Sequence, residues 1–203
     1  LMAPARVSVT DGEQPGRRLV ASAGEIITFY FGPVSTLNAH GKTFSGPISI
    51  RTSGGSYGAW RVCKVYVAGG PTRVSTNGES PRWSRPYRGA FEIAPQTFSF
   101  EPEKHKSALR VVNIAPLDEY LKGVVPWEMK PTAPMEALKA QAICARSETL
   151  AKIEGGRHAR DGFDICDYDH CQGYPGTENE KPASTRAVEE TSGLVMFLGS
   201  RVA

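Results

Sequence analysis

The chain has 203 residues, a mass of 22.0 kDa and 40% apolar residues, enough for one large packed domain or a core with a smaller appendage, and this excludes a wholly disordered polymer. Its 24 basic and 21 acidic residues leave a formal charge of +3, too balanced to mark a nucleic-acid binder. No apolar run approaches the ~20 residues of a membrane-spanning helix, and no export signal opens the chain, which is read as a fragment or a processed form.

Arg6 to about Ser107 reads as strands and turns. Ile26–Phe31 is rich in β-branched and aromatic residues, Ile48 and Ile50 alternate with polar neighbours, and Arg61–Val67 alternates again. Gly32-Pro33, Gly54-Gly55 and Gly69-Gly70-Pro71 punctuate these segments. The polar, proline-bearing stretch Ser75–Arg88, with Trp83 between Arg82 and Arg85, is expected to be a loop leading into a strand pair, Gly89–Phe100 and Leu109–Ile114.

At Pro116 the texture changes. Pro116 followed by Asp118 and Glu119 predicts a short helix that Gly123 stops. The segment VVPWEMKP follows, with Pro126 and Pro131 on either side of Glu128. A carboxylate set between Trp127 and Met129 on stiffened backbone is disfavoured in its charged form, which prepares it to donate a proton.

Pro134 then opens the best helix of the sequence, about five turns long and closed by Gly155-Gly156. Lys139 and Arg146 are seven residues apart and share one face, while Leu138, Ala142 and Ala145 form an inward one. Arg157–Gly176 is a long segment dense in Asp, His, Cys and aromatic residues, a length that loops reach when they bind or catalyse. Ala183–Glu190 predicts a helical turn or two, and Gly193 onward a hairpin about Gly199-Ser200 whose second strand the sequence leaves unfinished. No phosphate-cradling glycine loop, GxSxG or HExxH occurs.

Within the long segment, His158, Cys166, His170 and Cys171 have the composition of a Cys2His2 zinc set, although adjacent His170 and Cys171 need a turn to reach one ion. A Cys166–Cys171 disulfide closing a short loop is the competing reading, and unmodified thiols a third. Cys63 and Cys144 sit in apolar-periodic segments and are expected in the core.

Four blocks in order, VVNIAPLDEYLKGVVPWEMKP, MEALKAQAICAR, GFDICDYDHCQGY and RAVEETSGLVMFLGSRVA, resemble the SpoIID/LytB domain, named for stage II sporulation protein D and the amidase enhancer. The resemblance covers about Tyr87 to the end. It implies peptidoglycan work: the sporulation member is a lytic transglycosylase that prefers glycan strands without stem peptides, with the glutamate of a VVPxEM motif, matching Glu128, as general acid/base. Lys139 and Arg146 match a lysine and an arginine of the family's substrate cleft, and Trp127 joins them as an expected substrate-binding residue. Some members hold zinc at a cluster comparable to His158, Cys166, His170 and Cys171.

Hydrolysing glycosidases need two carboxylates, whereas a lytic transglycosylase needs one, because the 6-hydroxyl of the muramic acid ring takes the place of water. The resulting expectation is an α+β protein: a β-rich first half, residues 1–86, of unreadable role, and a mixed helix-strand SpoIID-like domain, 87–203, truncated at its C-terminus. Its function would be glycan-strand cleavage in the cell envelope or outside the cell, with no required cofactor beyond a possible structural zinc. A cell-wall amidase is the conceivable protein partner. The alternatives are a non-catalytic amidase enhancer or wall-binding module, and a structural envelope component.

Overall fold

The computed structural model describes residues 7–11, 13–14, 16–21, 30–31, 37–39, 41–45, 48–52, 60–63, 84–101, 104–167 and 169–203. Helices and small antiparallel sheets occur together, the α+β class. The chain forms two compact units, Leu1–Ile114 and Ala115–Ala203. The domain division expected between residues 86 and 87 falls inside the first.

The regular elements described in the first unit are strands: β1 (Val7–Asp11), β2 (Arg18–Ala21), β3 (Tyr30–Phe31), β4 (Leu37–Ala39), β5 (Lys42–Phe44), β6 (Ile48–Thr52), β7 (Trp60–Cys63), β8 (Ser84–Tyr87), β9 (Ala90–Glu101) and β10 (Lys104–Ile114). Five of them form a sheet in the order β10-β9-β6-β1-β2, beside the sets β3-β4-β5 and β7-β8. The register sets Ile48 against Ile93, and Val9, Ile48, Phe91 and Ile93 are buried, the period-2 burial of a one-sided sheet. Asp11, fully buried, accepts from the backbone N–H groups of Glu13, Gln14 and Ser45, so its charge goes into closing the β1–β2 turn and tying in the chain after β5. Part of the expected loop, Ser84–Tyr87, is strand β8, paired with β7. Residues 26–29 and 64–67, the three Gly-Pro and Gly-Gly clusters and Trp83 lie outside the described residues, as does the side chain of Cys63.

The second unit holds α1 (Leu117–Glu128), α2 (Met135–Glu154), a 3-10 turn at Ala159–Asp161, α3 (Pro182–Glu190) and a hairpin of β11 (Phe197–Leu198) and β12 (Arg201–Val202). Helix α1 does not stop at Gly123; it runs on through Pro126 to Glu128. Pro126 cannot bond the carbonyl of Lys122, but Leu121, Val124 and Val125 are completely buried, and burial worth about 1.5–3 kcal/mol per large apolar side chain outweighs one lost bond. Gly123 serves close approach instead: a Cβ there would overlap the carbonyl of Gly176 and lie 2.9 Å from Cε2 of Tyr174.

Helix α2 begins after Pro134 and ends in a Schellman motif, in which Gly156 at φ 62° donates to the carbonyl of Ile153 and Arg157 to that of Lys152. Its buried residues, Leu138, Ala142, Ala145, Arg146, Ser147 and Thr149, leave Cys144 about half a turn away, where it is exposed rather than in the core. The Lys139/Arg146 face is turned on α3. Lys139 Nζ bridges Glu190 at 2.8 Å and Glu136 at 3.0 Å.

Arg146 is only 2% exposed. Its Nε and Nη2 donate to Oδ1 of Asp118 at 3.2 and 2.9 Å, Nη2 also to the carbonyl of Val188 and Nη1 to that of Leu194. One guanidinium thus ties α2 to the first turn of α1, the end of α3 and the segment before the hairpin. Ser192 Oγ donates to the other oxygen of Asp118. Burial alone would raise the Asp118 carboxyl, but the Ser192 hydroxyl, Arg146 and Lys122 outweigh it and hold the group below its usual range. A carboxyl depressed in the folded state stabilises above its unfolded value of about 3.9 and loses that contribution as pH falls through the folded value. Asp118→Asn should therefore cost about 2–3 kcal/mol at neutral pH, less than the about 3–5 kcal/mol of a fully buried pair because Asp118 keeps part of its surface in water. Urea unfolding of both proteins from pH 7 to pH 2 should show that difference shrinking below pH ~4, as wild-type Asp118 becomes protonated.

Candidate functional site

Glu128 is the last residue of α1 and is exposed, and Trp127 beside it is 51% exposed. The desolvated setting expected from Trp127 and Met129 is therefore absent. What the carboxylate meets is backbone: the N–H of Gly173 donates to its Oε1 at 3.4 Å. Gly173 is itself pinned, because a Cβ on it would overlap the Trp127 indole at Nε1 and Cδ1. Glycine is the residue that lets the 171–176 backbone pass under that ring and still present an N–H to the acid. On the same stretch Gly176 lies over Gly123, so α1 and this segment mesh through glycines on both sides.

The expected substrate cations do not join Glu128. Arg146 is the buried clamp described above, a correction to its reading as a cleft residue: Asp118 and two carbonyls occupy its guanidinium. Lys139 is bridged to Glu136 and Glu190, which raise its ammonium above the usual value. Of the four residues read as catalytic or substrate-binding, the structure brings together Glu128 and Trp127.

The histidines and cysteines do converge. The ligand atoms of His158, Cys166, His170 and Cys171 all lie within 4.8 Å of one another, a group that can hold a metal ion. Cys171 Sγ is 3.5 Å from His158 Nε2 and 3.8 Å from His170 Nδ1, and Cys166 Sγ is 3.5 Å from His170 Nδ1. The Schellman turn at Gly156 delivers His158, and the 3-10 turn ending at Gly162 folds Asp161 back so that Oδ2 lies 2.8 Å from His158 Nδ1. That leaves Nε2 of His158 to face the sulfur. Phe163 stacks on the His158 ring at 4.6 Å.

Cys166 and Cys171 are not bonded to each other in this structure, and each sulfur is turned on imidazole nitrogen. Burial pushes the Cys171 thiol up, but Cys166, through its backbone and side chain, and His158 outweigh it and hold the thiol below its ordinary value. The Asp161 hydrogen bond raises His158, while burial and the charge of Arg157 lower His170. Arg157 Nε donates to His170 Nε2 at 3.3 Å. Because a guanidinium N–H can only donate, that Nε2 is an acceptor and the ring proton sits on Nδ1, toward the sulfurs.

Gln172 was not singled out by sequence reasoning, yet every polar atom of its buried side chain is engaged. Its Oε1 accepts from Tyr120 Oη at 3.0 Å and Thr149 Oγ1 at 2.7 Å; its Nε2 donates to the Ala145 carbonyl at 3.2 Å and Glu148 Oε2 at 3.1 Å. Lys152 Nζ bridges Glu148 and the carbonyl of Cys171. Burial, with Cys171 and Tyr174 adding, pushes the Tyr120 phenol far up, which keeps it a donor. No local signal marked it, since a glutamine in a polar loop reads as solvated.

Residues 105–198 match the SpoIID family model, described as stage II sporulation protein, and this bears out the resemblance over the second half of the chain. The chain is also 37% identical over 87 residues to an uncharacterized protein of Brachyspira hyodysenteriae, covering 43% of this chain. It spans 23% of that relative's length. No solved structure matches. The SpoIID match connects the second half of the chain with cell-wall-related function, and no helix among the described residues is long and apolar enough to cross a membrane.

Gly173→Ala tests the mesh at the site. The added methyl must displace the Trp127 indole, so acrylamide should quench Trp127 more readily in the variant, measured as the difference from a Trp127→Phe background, with a stability loss of about 1–3 kcal/mol.

Proposed function

We infer that the protein is an exported peptidoglycan lytic transglycosylase acting in the cell envelope, with Glu128 as the single acid/base. The observation that carries this reading is an exposed carboxylate, held by one backbone N–H, next to a half-exposed tryptophan inside the SpoIID-matched stretch. Aromatic rings present apolar faces to sugars, and Trp127 offers one within reach of the acid.

Protonated Glu128 gives its proton to the glycosidic oxygen as the bond from that oxygen to the muramyl anomeric carbon breaks. The 6-hydroxyl oxygen of the same muramyl ring bonds the anomeric carbon, and its proton passes to the Glu128 carboxylate, which is thereby restored. The products are a 1,6-anhydromuramyl end and a new 4-hydroxyl end, with no water consumed. Holding nucleophile and electrophile in one sugar ring supplies the effective molarity that a second carboxylate would otherwise have to replace. A Gly173 N–H on Oε1 leaves Oε2 to face the glycan.

His158, Cys166, His170 and Cys171 are proposed as a structural zinc set. In a tetrahedral site with Zn–S of about 2.3 Å and Zn–N of about 2.0–2.1 Å, nitrogen and sulfur ligands stand about 3.6 Å apart; the two nearest pairs here are at 3.5 Å. The Asp161 carboxylate behind His158 is the outer partner that ligating histidines use to fix their tautomer. Four protein ligands leave no position for substrate, so the ion would tie the 158 turn to the 166–171 segment.

Glu128→Gln should cut formation of anhydro ends from denuded glycan strands by about 10²–10⁴-fold with an unchanged melting temperature, since the side chain is exposed; undiminished product would refute the acid/base role, and sedimentation with sacculi without any product in the wild type would favour a wall-binding module. For the metal, Arg157→Ala should tighten zinc binding about 2- to 10-fold at pH 8 in competition with a chromophoric chelator, because ligation through His170 Nδ1 moves the ring proton to Nε2 and breaks the Arg157 hydrogen bond.

A further inference from the structure

Between the Cys/His group and Glu128 lie three consecutive residues. Cys171 belongs to the metal-competent group, Gly173 supplies the N–H that meets Glu128, and Gln172 between them is the best anchored side chain of the segment. Its carboxamide uses four hydrogen bonds on two helices, one to Tyr120 of α1 and three to Ala145, Glu148 and Thr149 of α2, while it is only 4% exposed. Such a residue cannot rotate without breaking four hydrogen bonds, three of them to the buried Tyr120, Ala145 and Thr149 and one to the exposed Glu148. The backbone on either side of it therefore moves as one piece with the side chain or not at all.

We propose that Gln172 is a positioning residue that couples the Cys171-containing metal group to the acid: it fixes the register of the 171–173 backbone, so that occupancy of the metal group is felt as the placement of the Gly173 N–H on Glu128 and of the Gly173 Cα under Trp127. The proposal rests on the zinc and Glu128 readings above. Three observations converge on it. Cys171 is held from both ends, by Lys152 on its carbonyl and by His158 on its sulfur. Glu148 touches both Lys152 and Gln172, so the two tethers share a partner. The Gly173 Cα packs so closely on the Trp127 indole that a shift well under the radius of a methyl group changes that ring's surroundings.

Trp127 is thus a built-in reporter, and the test needs no glycan. Zinc, which has no absorption of its own, is titrated into metal-free full chain while tryptophan emission is followed in the wild type and in Trp127→Phe; the difference isolates Trp127 from Trp60 and Trp83. Cobalt absorption in the thiolate charge-transfer region reports ligation separately. The expected result is a Trp127 response that saturates with the cobalt band at one equivalent in the wild type. In Gln172→Ala the cobalt band should persist while the Trp127 response falls about fivefold. Should Gln172→Ala fail to fold, Thr149→Val and Tyr120→Phe each remove one donor to its Oε1 and should give a partial loss of response with the band intact.

Equal Trp127 responses in the wild type and the Gln172, Thr149 and Tyr120 variants would overturn the coupling while leaving the zinc reading standing. Absence of the cobalt band in the wild type would overturn the zinc reading and the coupling with it. Because no arm measures glycan cleavage, either failure is separate from failure of the transglycosylase reading.

Discussion

A cation without water must be given oxygen atoms, and the second unit is arranged around meeting that demand for Arg146. A guanidinium carries five N–H donors and stays charged at any accessible pH. At 2% exposure it cannot borrow solvent, so the start of α1, the end of α3 and the chain before the hairpin all bring it an acceptor. Such a pair adds little net stability compared with an apolar core, since desolvation consumes most of the Coulomb gain. Its effect is directional: it fixes which ends of which helices meet. With Asp118 held, the rest of α1 is a rod, and Glu128, ten residues on, is set about 15 Å away along a fixed axis. The position of the acid is thus decided by a clamp at the other end of its helix.

How much of this could be read from the sequence depends on whether a residue's role is local. The helix over Met135–Glu154 was legible because its composition and its closing glycines act on their own turn. Strand β6 was legible from the alternation of Ile48 and Ile50, and β9 and β10 as a strand pair, although β10 begins at Lys104 rather than at Leu109. Arg146 was placed in the cleft because charge argues for solvent; Asp118 could be named from the sequence as a partner, but the two carbonyls 42 and 48 residues downstream that complete its burial have no trace in the local pattern. Gly123 was misread because a residue that is poor for helix propensity is also the one that admits another backbone, and only the fold says which property is in use.

Glu128 shows the same division within one residue. Its place in the chain was legible, but its surroundings were not: Trp127 leaves the helix about 100° around from Glu128 and Met129 follows in extended backbone, so neither need touch the carboxylate it flanks in sequence. The Cys/His group was legible by composition, although the adjacency of His170 and Cys171 argued against one ion. The conflict dissolves because His158 comes from the Schellman turn and Cys166 from across the loop, so the adjacent pair supplies only one side of the group.

An acid left in water is a poor proton donor to a glycosidic oxygen, and on the proposed reading this exposure sets the order of events. The protein fixes Glu128 with a single backbone N–H and leaves the removal of water to whatever lies on Trp127. A sugar ring stacked on the indole would cover the carboxylate as it arrives, so desolvation of the acid and capture of the strand become one step. On that reading, a solvated glutamate set against a half-exposed tryptophan lets the strand that stacks on the indole also cover the carboxylate that is to act on it.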